Sequence, residues 1–293
     1  MNANNIFFNE SGHLRSGLRV TIFILSFLLA SFVLVIAVGA PLAMFLNNKL
    51  LAFIVPSCIS AAVAVFFGWL YGKIFEKVPL SALGIELSGK TISDLSLGML
   101  IGGATFVIAA LFAYLFGGMR FEANQTSGAS AIAFTLAATF LVFAVAGFSE
   151  ESVFRGYPLQ TLSRSGMFRV GLILTSFLFA TAHNSNPGAT AFSWFNTFLA
   201  GVWLAVAYYK TRNLWFPTGV HVAWNWLQSA FFGINVSGLT DLAPDPILRV
   251  VETGNDFIGG GDYGIEGGIA CTFSLAVSTA AIYFLPIKKS LES

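Results

Sequence analysis

Apolar residues run along this chain in stretches too long for the helices of a water-soluble domain. About 20 consecutive apolar residues carry a helix across the hydrocarbon core of a bilayer. Eight stretches meet or approach that length, at roughly 18–40, 50–72, 95–117, 131–163, 168–184, 191–209, 214–233 and 267–286. The fourth carries Glu150, Glu151 and Arg155 in its interior and is too long for one upright span. It fits either one tilted helix or a short segment followed by a membrane helix of about 25 residues. The expected fold class is therefore all-α, a polytopic membrane protein of about eight transmembrane helices. Between the last two stretches lies the longest polar segment, about 234–266, which holds Asp241, Asp245, Glu252, Asp256, Asp262 and Glu266. A solvated glycine-rich loop is expected there, with a calcium site on Asp256 and Asp262 as the alternative. No repeat, heptad pattern or second domain is evident, so residues 1–293 read as a single membrane domain.

Composition agrees with this pattern. Of the 293 residues, 56% are hydrophobic and 10% charged, and the mean hydropathy is +0.78. Soluble domains carry about 25% charged residues, so a soluble globular enzyme is excluded. The net charge of +1 and the lack of a basic block give no electrostatic footprint for nucleic acid. Cys58 and Cys271 lie in apolar stretches without metal-type spacing.

Charge placement predicts orientation. With the N-terminus inside, twelve of the 15 Lys and Arg fall on the cytoplasmic side or near it, leaving Lys49, Arg120 and Arg249 opposite. Eight helices with both termini cytoplasmic satisfy this bias, and segment 234–266 is then extracytoplasmic. The first stretch exceeds the 7–15 residues of a signal-peptide core, and Pro41 follows its one small-residue site, so it reads as a retained helix.

Ionisable groups inside spans are costly and mark functional sites by default. Here they cluster as Ser149-Glu150-Glu151-Ser152-Val153-Phe154-Arg155, Phe179 to His183, and His221 to Asn225. The remaining histidine, His13, sits in a polar tail where a solvated role is expected. Glu151 and Arg155, four apart, share a helix face and can pair. Glu150 is turned by about 100° from Glu151 and lacks that counter-charge. An unpaired carboxylate in an apolar site suits a general base, so Glu150 is the candidate base and Glu151 with Arg155 its brace. The plainer alternative is an ion pair that fixes helix packing.

Depth supports a common site. Glu150 lies 16 residues before Gly166 and His183 17 after it, so both sit about 25 Å from the intervening turn. His221, nine residues past Arg212, is only about 13 Å from its own turn, so tilt or re-entry must make up the difference. His221 and Asn225 share a face and can both donate hydrogen bonds, as an oxyanion site requires.

These clusters, in this order, resemble the CAAX protease and bacteriocin-processing family of intramembrane proteases, the relatives of type II CAAX prenyl endopeptidases. Its motifs EExxxR, FxxxH and HxxxN/D are matched by Glu150-Glu151…Arg155, Phe179…His183 and His221…Asn225. The resemblance covers about 140–230, and the core that carries the motifs is 131–233. It implies an endopeptidase that hydrolyses membrane-embedded or lipidated proteins or peptides in the bilayer. Eukaryotic members remove the last three residues of prenylated CAAX proteins, and bacterial relatives are linked to bacteriocin maturation or immunity. The implied setting is a bacterial inner or plasma membrane. Carried over by residue, Glu150 and His183 activate water while His221 and Asn225 stabilise the oxyanion.

A catalytic zinc would draw its ligands from Glu150, His183 and His221, and the family has been described as metalloproteases. The chain has no HExxH pair to clamp zinc from one helix, and a glutamate-activated water uses the same residues. No metal is therefore favoured. The rival class is a non-catalytic transporter, or an immunity or scaffold protein that uses the polar site for binding.

Overall fold

The computed structural model describes residues 14–46 and 48–287, together with 7, 8 and 12. His13, Lys288 and Lys289 lie outside them. Each of the eight apolar stretches is helical. Helix α1 (Ser16–Leu34) continues through a π turn (Val35–Gly39) into α2 (Ala40–Leu46), and α3 (Lys49–Tyr71) ends in a second π turn (Gly72–Glu76). Then follow α4 (Thr91–Leu115), α5 (Ala129–Glu151), a π turn (Ser152–Gly156), α6 (Tyr157–Arg164), α7 (Phe168–Ala182) and α8 (Ala191–Thr211). Helix α9 (Trp215–Trp226) runs into a fourth π turn (Leu227–Phe231), and a short α10 (Asp256–Gly259) precedes α11 (Ile269–Phe284).

Among the described residues, five helices are long and apolar enough to cross a membrane: 16–42, 50–76, 91–115, 129–164 and 191–211. The 15-residue α7 and 16-residue α11 are apolar but shorter, spanning about 22–24 Å against a hydrocarbon core of about 30 Å. Large apolar side chains such as Leu25, Leu29 and Phe32 of α1 and Leu100, Leu111 and Leu115 of α4 point outward. In water such a surface would drive aggregation, and in lipid it is the ordinary exterior. The chain is an integral membrane protein.

The fourth stretch is one helical run over 129–164, interrupted in its middle. Helix α5 runs unbroken to Glu151, widens into the π turn, and leaves helical geometry at Gly156 (ψ −120°). Pro158, at the first turn of α6, needs no backbone donor there. Glu76 ties this segment down: its carboxylate accepts from Arg164 Nε at 2.8 Å and Thr161 Oγ1 at 2.7 Å, with Arg19 at 3.5 Å.

The tightest helix pair is α4 against α9. Glycines make it so. A Cβ on Gly98 or Gly102 would run into the backbone carbonyls of Phe216 and Val220, and one on Gly219 into that of Leu95. Small residues four apart let helix backbones touch where no hydrophobic effect drives them together. His221 rides on this interlocked pair.

The fold is mostly helical, as expected, with one small addition: β1 (Met119–Ala123) pairs antiparallel with β2 (Leu248–Thr253), with a bulge between Arg120 and Phe121. These polar connections lie outside the helices, and pairing satisfies their backbone groups. One expectation needs correction. Segment 234–266 is not a solvated loop, since Ile234, Val236, Leu242, Tyr263 and Ile265 are buried. Its glycines serve close approach, since Gly238 and Gly264, both at positive φ, abut the carbonyls of Pro187 and Asn235.

Candidate active site

Three helices bring the motif residues together. Glu150 is the penultimate residue of α5, just before the π turn, His183 caps the C-terminus of α7, and His221 lies in the middle of α9. Glu150 Oε2 stands 3.8 Å from His183 Nε2 and 3.8 Å from His221 Nε2. That oxygen is buried and makes no hydrogen bond. Glu150, His183, His221 and Asn225 all line one cavity of about 340 Å³, within the size range of small-ligand sites. The π turns lie next to these residues, at 152–156 and 227–231. Single π turns recur at functional sites because they shift side chains off the α-helical register.

The turn at Gly166 (φ +76°) makes the α6–α7 connection, and the expected common level of Glu150 and His183 follows from it. The shorter reach of His221 has a different explanation. The turn from α8 to α9 is not at the edge of the protein but sunk beneath residues 80–86. Leu214 is fully buried, and its N–H donates to Gly84 O at 2.8 Å. Gly84 (φ +75°) has no Cβ to strike Asn213. Asn213 Oδ1 accepts from Trp215 N at 3.0 Å and Phe216 N at 3.2 Å, so the helix starts already inside the protein. Nine residues then suffice.

Ring orientation is set on the far side of each imidazole. His183 Nδ1 donates to Phe179 O at 2.8 Å, and His221 Nδ1 donates to Glu151 Oε1 at 3.0 Å. Both Nε2 atoms are thereby turned toward Glu150. If each imidazole is neutral, three lone-pair acceptors converge, and such a point is stable only with a proton donor or a cation between them.

Glu151 and Arg155 form the expected pair, at 3.0 Å with both side chains fully buried. Arg155 Nη2 also donates to Gly201 O at 3.0 Å, and its guanidinium lies 4.7 Å from the Phe179 ring centroid. Phe179 thus packs against the buried guanidinium. Glu151 has a second partner in His221 that spacing along one helix does not reveal.

Residues outside the motifs complete the cavity. Glu266, from the segment expected to be solvated, lines it. Its Oε1 accepts from Trp224 Nε1 at 3.1 Å, and its Oε2 accepts from Ser237 N at 2.6 Å and Oγ at 2.7 Å. Asn196 Nδ2 donates to Glu266 O and Gly268 O, both at 2.9 Å. Burial and the nearby Glu266 carboxylate push the Tyr263 hydroxyl up to about 12, so it stays protonated in this roof. No local signal marks Glu266, which is one of six acids in its segment. The two asparagines and Ser237 are equally ordinary in sequence.

Two imidazoles and a carboxylate are the donor types of catalytic zinc. Among the described residues, no group of three or more His, Cys, Asp or Glu is arranged to hold a metal ion. This applies equally to Asp256 and Asp262.

No curated protein matches the chain. Residues 131–227, about a third of its length, match the family model described as Rce1-like, type II CAAX prenyl endopeptidase Rce1-like. That match supports the CAAX protease family, a family of membrane proteases, over the very segment that contains Glu150, His183, His221 and Asn225.

Proposed function

We propose that this chain is an intramembrane endopeptidase that hydrolyses peptide bonds of membrane-associated proteins or peptides with a water activated by Glu150. The observation that carries the reading is the convergence of Glu150, His183 and His221 from three helices on one buried point. Glu150 takes a proton from a water that His183 Nε2 helps to hold. The water oxygen attacks the peptide carbonyl carbon, and the developing oxyanion is met by Asn225 and by His221 in its doubly protonated form. The C–N bond then breaks as the proton held on Glu150 passes to the leaving amine. Glu151 and Arg155 are positioning residues, since they act through His221 and the helix rather than on substrate. If a zinc ion were bound instead, Glu150, His183 and His221 would hold it, and it would supply Lewis-acid activation of the same water.

The reading includes a single membrane domain with its catalytic core at 131–233, eight membrane segments and cytoplasmic termini, in a bacterial inner or plasma membrane. The shorter α7, α9 and α11 count as segments because they pack among longer helices. The test is to compare peptides released in membranes carrying wild type and Glu150→Ala. Products present only with wild type are expected. Identical product sets would leave the binding or scaffold class in its place.

A further inference from the structure

The cavity wall changes character along its length. On α8 the residues that face it are Asn196, Thr197, Ala200, Trp203 and Leu204, a stripe at the spacing of one helix face. Asn196 joins the polar roof through Glu266 O and Gly268 O. Leu204 lies eight residues further along α8, about 12 Å deeper. Gly201 fixes the rotation of this helix. A Cβ there would strike Ser176 of α7, and its carbonyl accepts from Arg155. At the deep end Trp203 and Leu204 meet Phe154 of the π turn, Phe179 of α7, and Cys271 and Leu275 of α11. All of these but Phe154 are buried members of the main apolar core. Trp203 Nε1 donates to Ser278 Oγ at 2.9 Å, so its polar atom is spent and its ring surface is left to the cavity. Ala200 sits among them with the smallest side chain.

This apolar end begins beside the reacting groups. The Phe179 ring centroid lies 4.6 Å from that of His183 and 6.0 Å from that of His221. Phe154 follows Glu150 by four residues, about one turn. The two residues joined by a peptide bond at Glu150 are therefore the ones whose side chains reach this end. Protein interiors are close-packed, and a void within one costs stability. A void kept between core side chains and a reacting centre is a place that a ligand fills. Ring faces and methyl groups offer water no hydrogen-bond partners, whereas an apolar side chain gains in proportion to the surface it buries. We propose that the deep end is a specificity pocket for a bulky apolar side chain on one side of the cut, and that Ala200 sets the size it accepts. This rests on the hydrolase reading above and adds to it the residue that selects among substrates.

The test uses full-length protein in liposomes and a peptide pool from a digested membrane proteome. Cut sites are read by mass spectrometry, with Glu150→Ala as the blank. One methylene in an apolar pocket is worth about 10–200-fold in discrimination. At one flanking position, wild type should favour Leu, Met and Phe over Gly and Ser at least tenfold. Ala200→Leu fills the pocket and should move that ratio toward Ala, Gly and Ser by at least tenfold. Leu275→Ala enlarges it and should favour Phe and Trp over Leu. A loss of fold lowers all cuts together and does not re-rank them, so opposite shifts in the two variants report the pocket itself. Wild-type cuts with no apolar preference on either side, or the wild-type ranking in both variants, would overturn the pocket while leaving the hydrolase standing. No Glu150-dependent product would overturn both.

Discussion

Glu151 of α5 and His221 of α9 are joined, Nδ1 to Oε1, at 3.0 Å, and the same oxygen accepts from Arg155 at 3.0 Å. The carboxylate that seems from its own helix to serve Arg155 alone therefore also fixes the imidazole across the helix interface. It sets the tautomer and angle of a ring whose other nitrogen faces Glu150.

This sharing separates fold from chemistry. Arg155→Ala leaves the fully buried Glu151 with His221 as its one remaining partner, and Glu151→Ala leaves a buried guanidinium. Breaking a buried pair by removing one partner costs about 3–5 kcal/mol. Both variants should lose expression and thermal stability in detergent along with activity. Glu150→Gln, at a side chain 33% exposed to the cavity, should unfold at the wild-type temperature and be inactive. Equal instability of Glu150→Gln would make the whole cluster structural.

The oxyanion assignment predicts a ranking. Losing one oxyanion donor costs about 10²–10³ in turnover, so Asn225→Ala should be slow but measurable, and Glu150→Ala should fall further. A zinc mechanism predicts that His183→Ala and His221→Ala abolish metal content while Asn225 matters little. Elemental analysis of purified protein, with activity before and after chelation, distinguishes them. One tightly held zinc per active chain, with activity tracking its removal and return, would replace the glutamate-water route.

The interlocked helices give a paired test. Gly102→Ala drives a methyl into the Val220 backbone, whereas Gly103→Ala meets the mobile end of Leu227 at 3.1 Å. Overpacking costs about 1–3 kcal/mol, so Gly102→Ala should lower the unfolding temperature and activity together. Gly103→Ala should change neither appreciably. Indistinguishable melting curves for the two would refute the close α4–α9 contact.

Orientation can be read by reporters. One fused at the C-terminus should report cytoplasmic and one inserted near Asp245 extracytoplasmic, following the bias of Lys and Arg along the chain. The opposite pattern would reverse the proposed topology.

The mostly helical membrane architecture, an ion pair between Glu151 and Arg155, and the common depth of Glu150 and His183 were all legible in the sequence. Hydropathy and helical spacing are local properties, and a hairpin with a turn at Gly166 needs only counting. The coarse class and the motif residues follow from the same local rules.

Tertiary structure alone decided the rest. His221 reaches the site because the α8–α9 turn is buried under Gly84, and it bonds Glu151 because glycines let α9 lie against its neighbours. The acidic, glycine-rich segment 234–266 reads as solvated, yet it packs into a roof that puts Glu266 on the cavity wall. Composition registers how polar a segment is, but not whether its polar groups find partners. Those partners, Trp224 and Ser237 for Glu266 and His221 for Glu151, lie 29 to 70 residues away, and only the folded chain brings them within hydrogen-bonding distance.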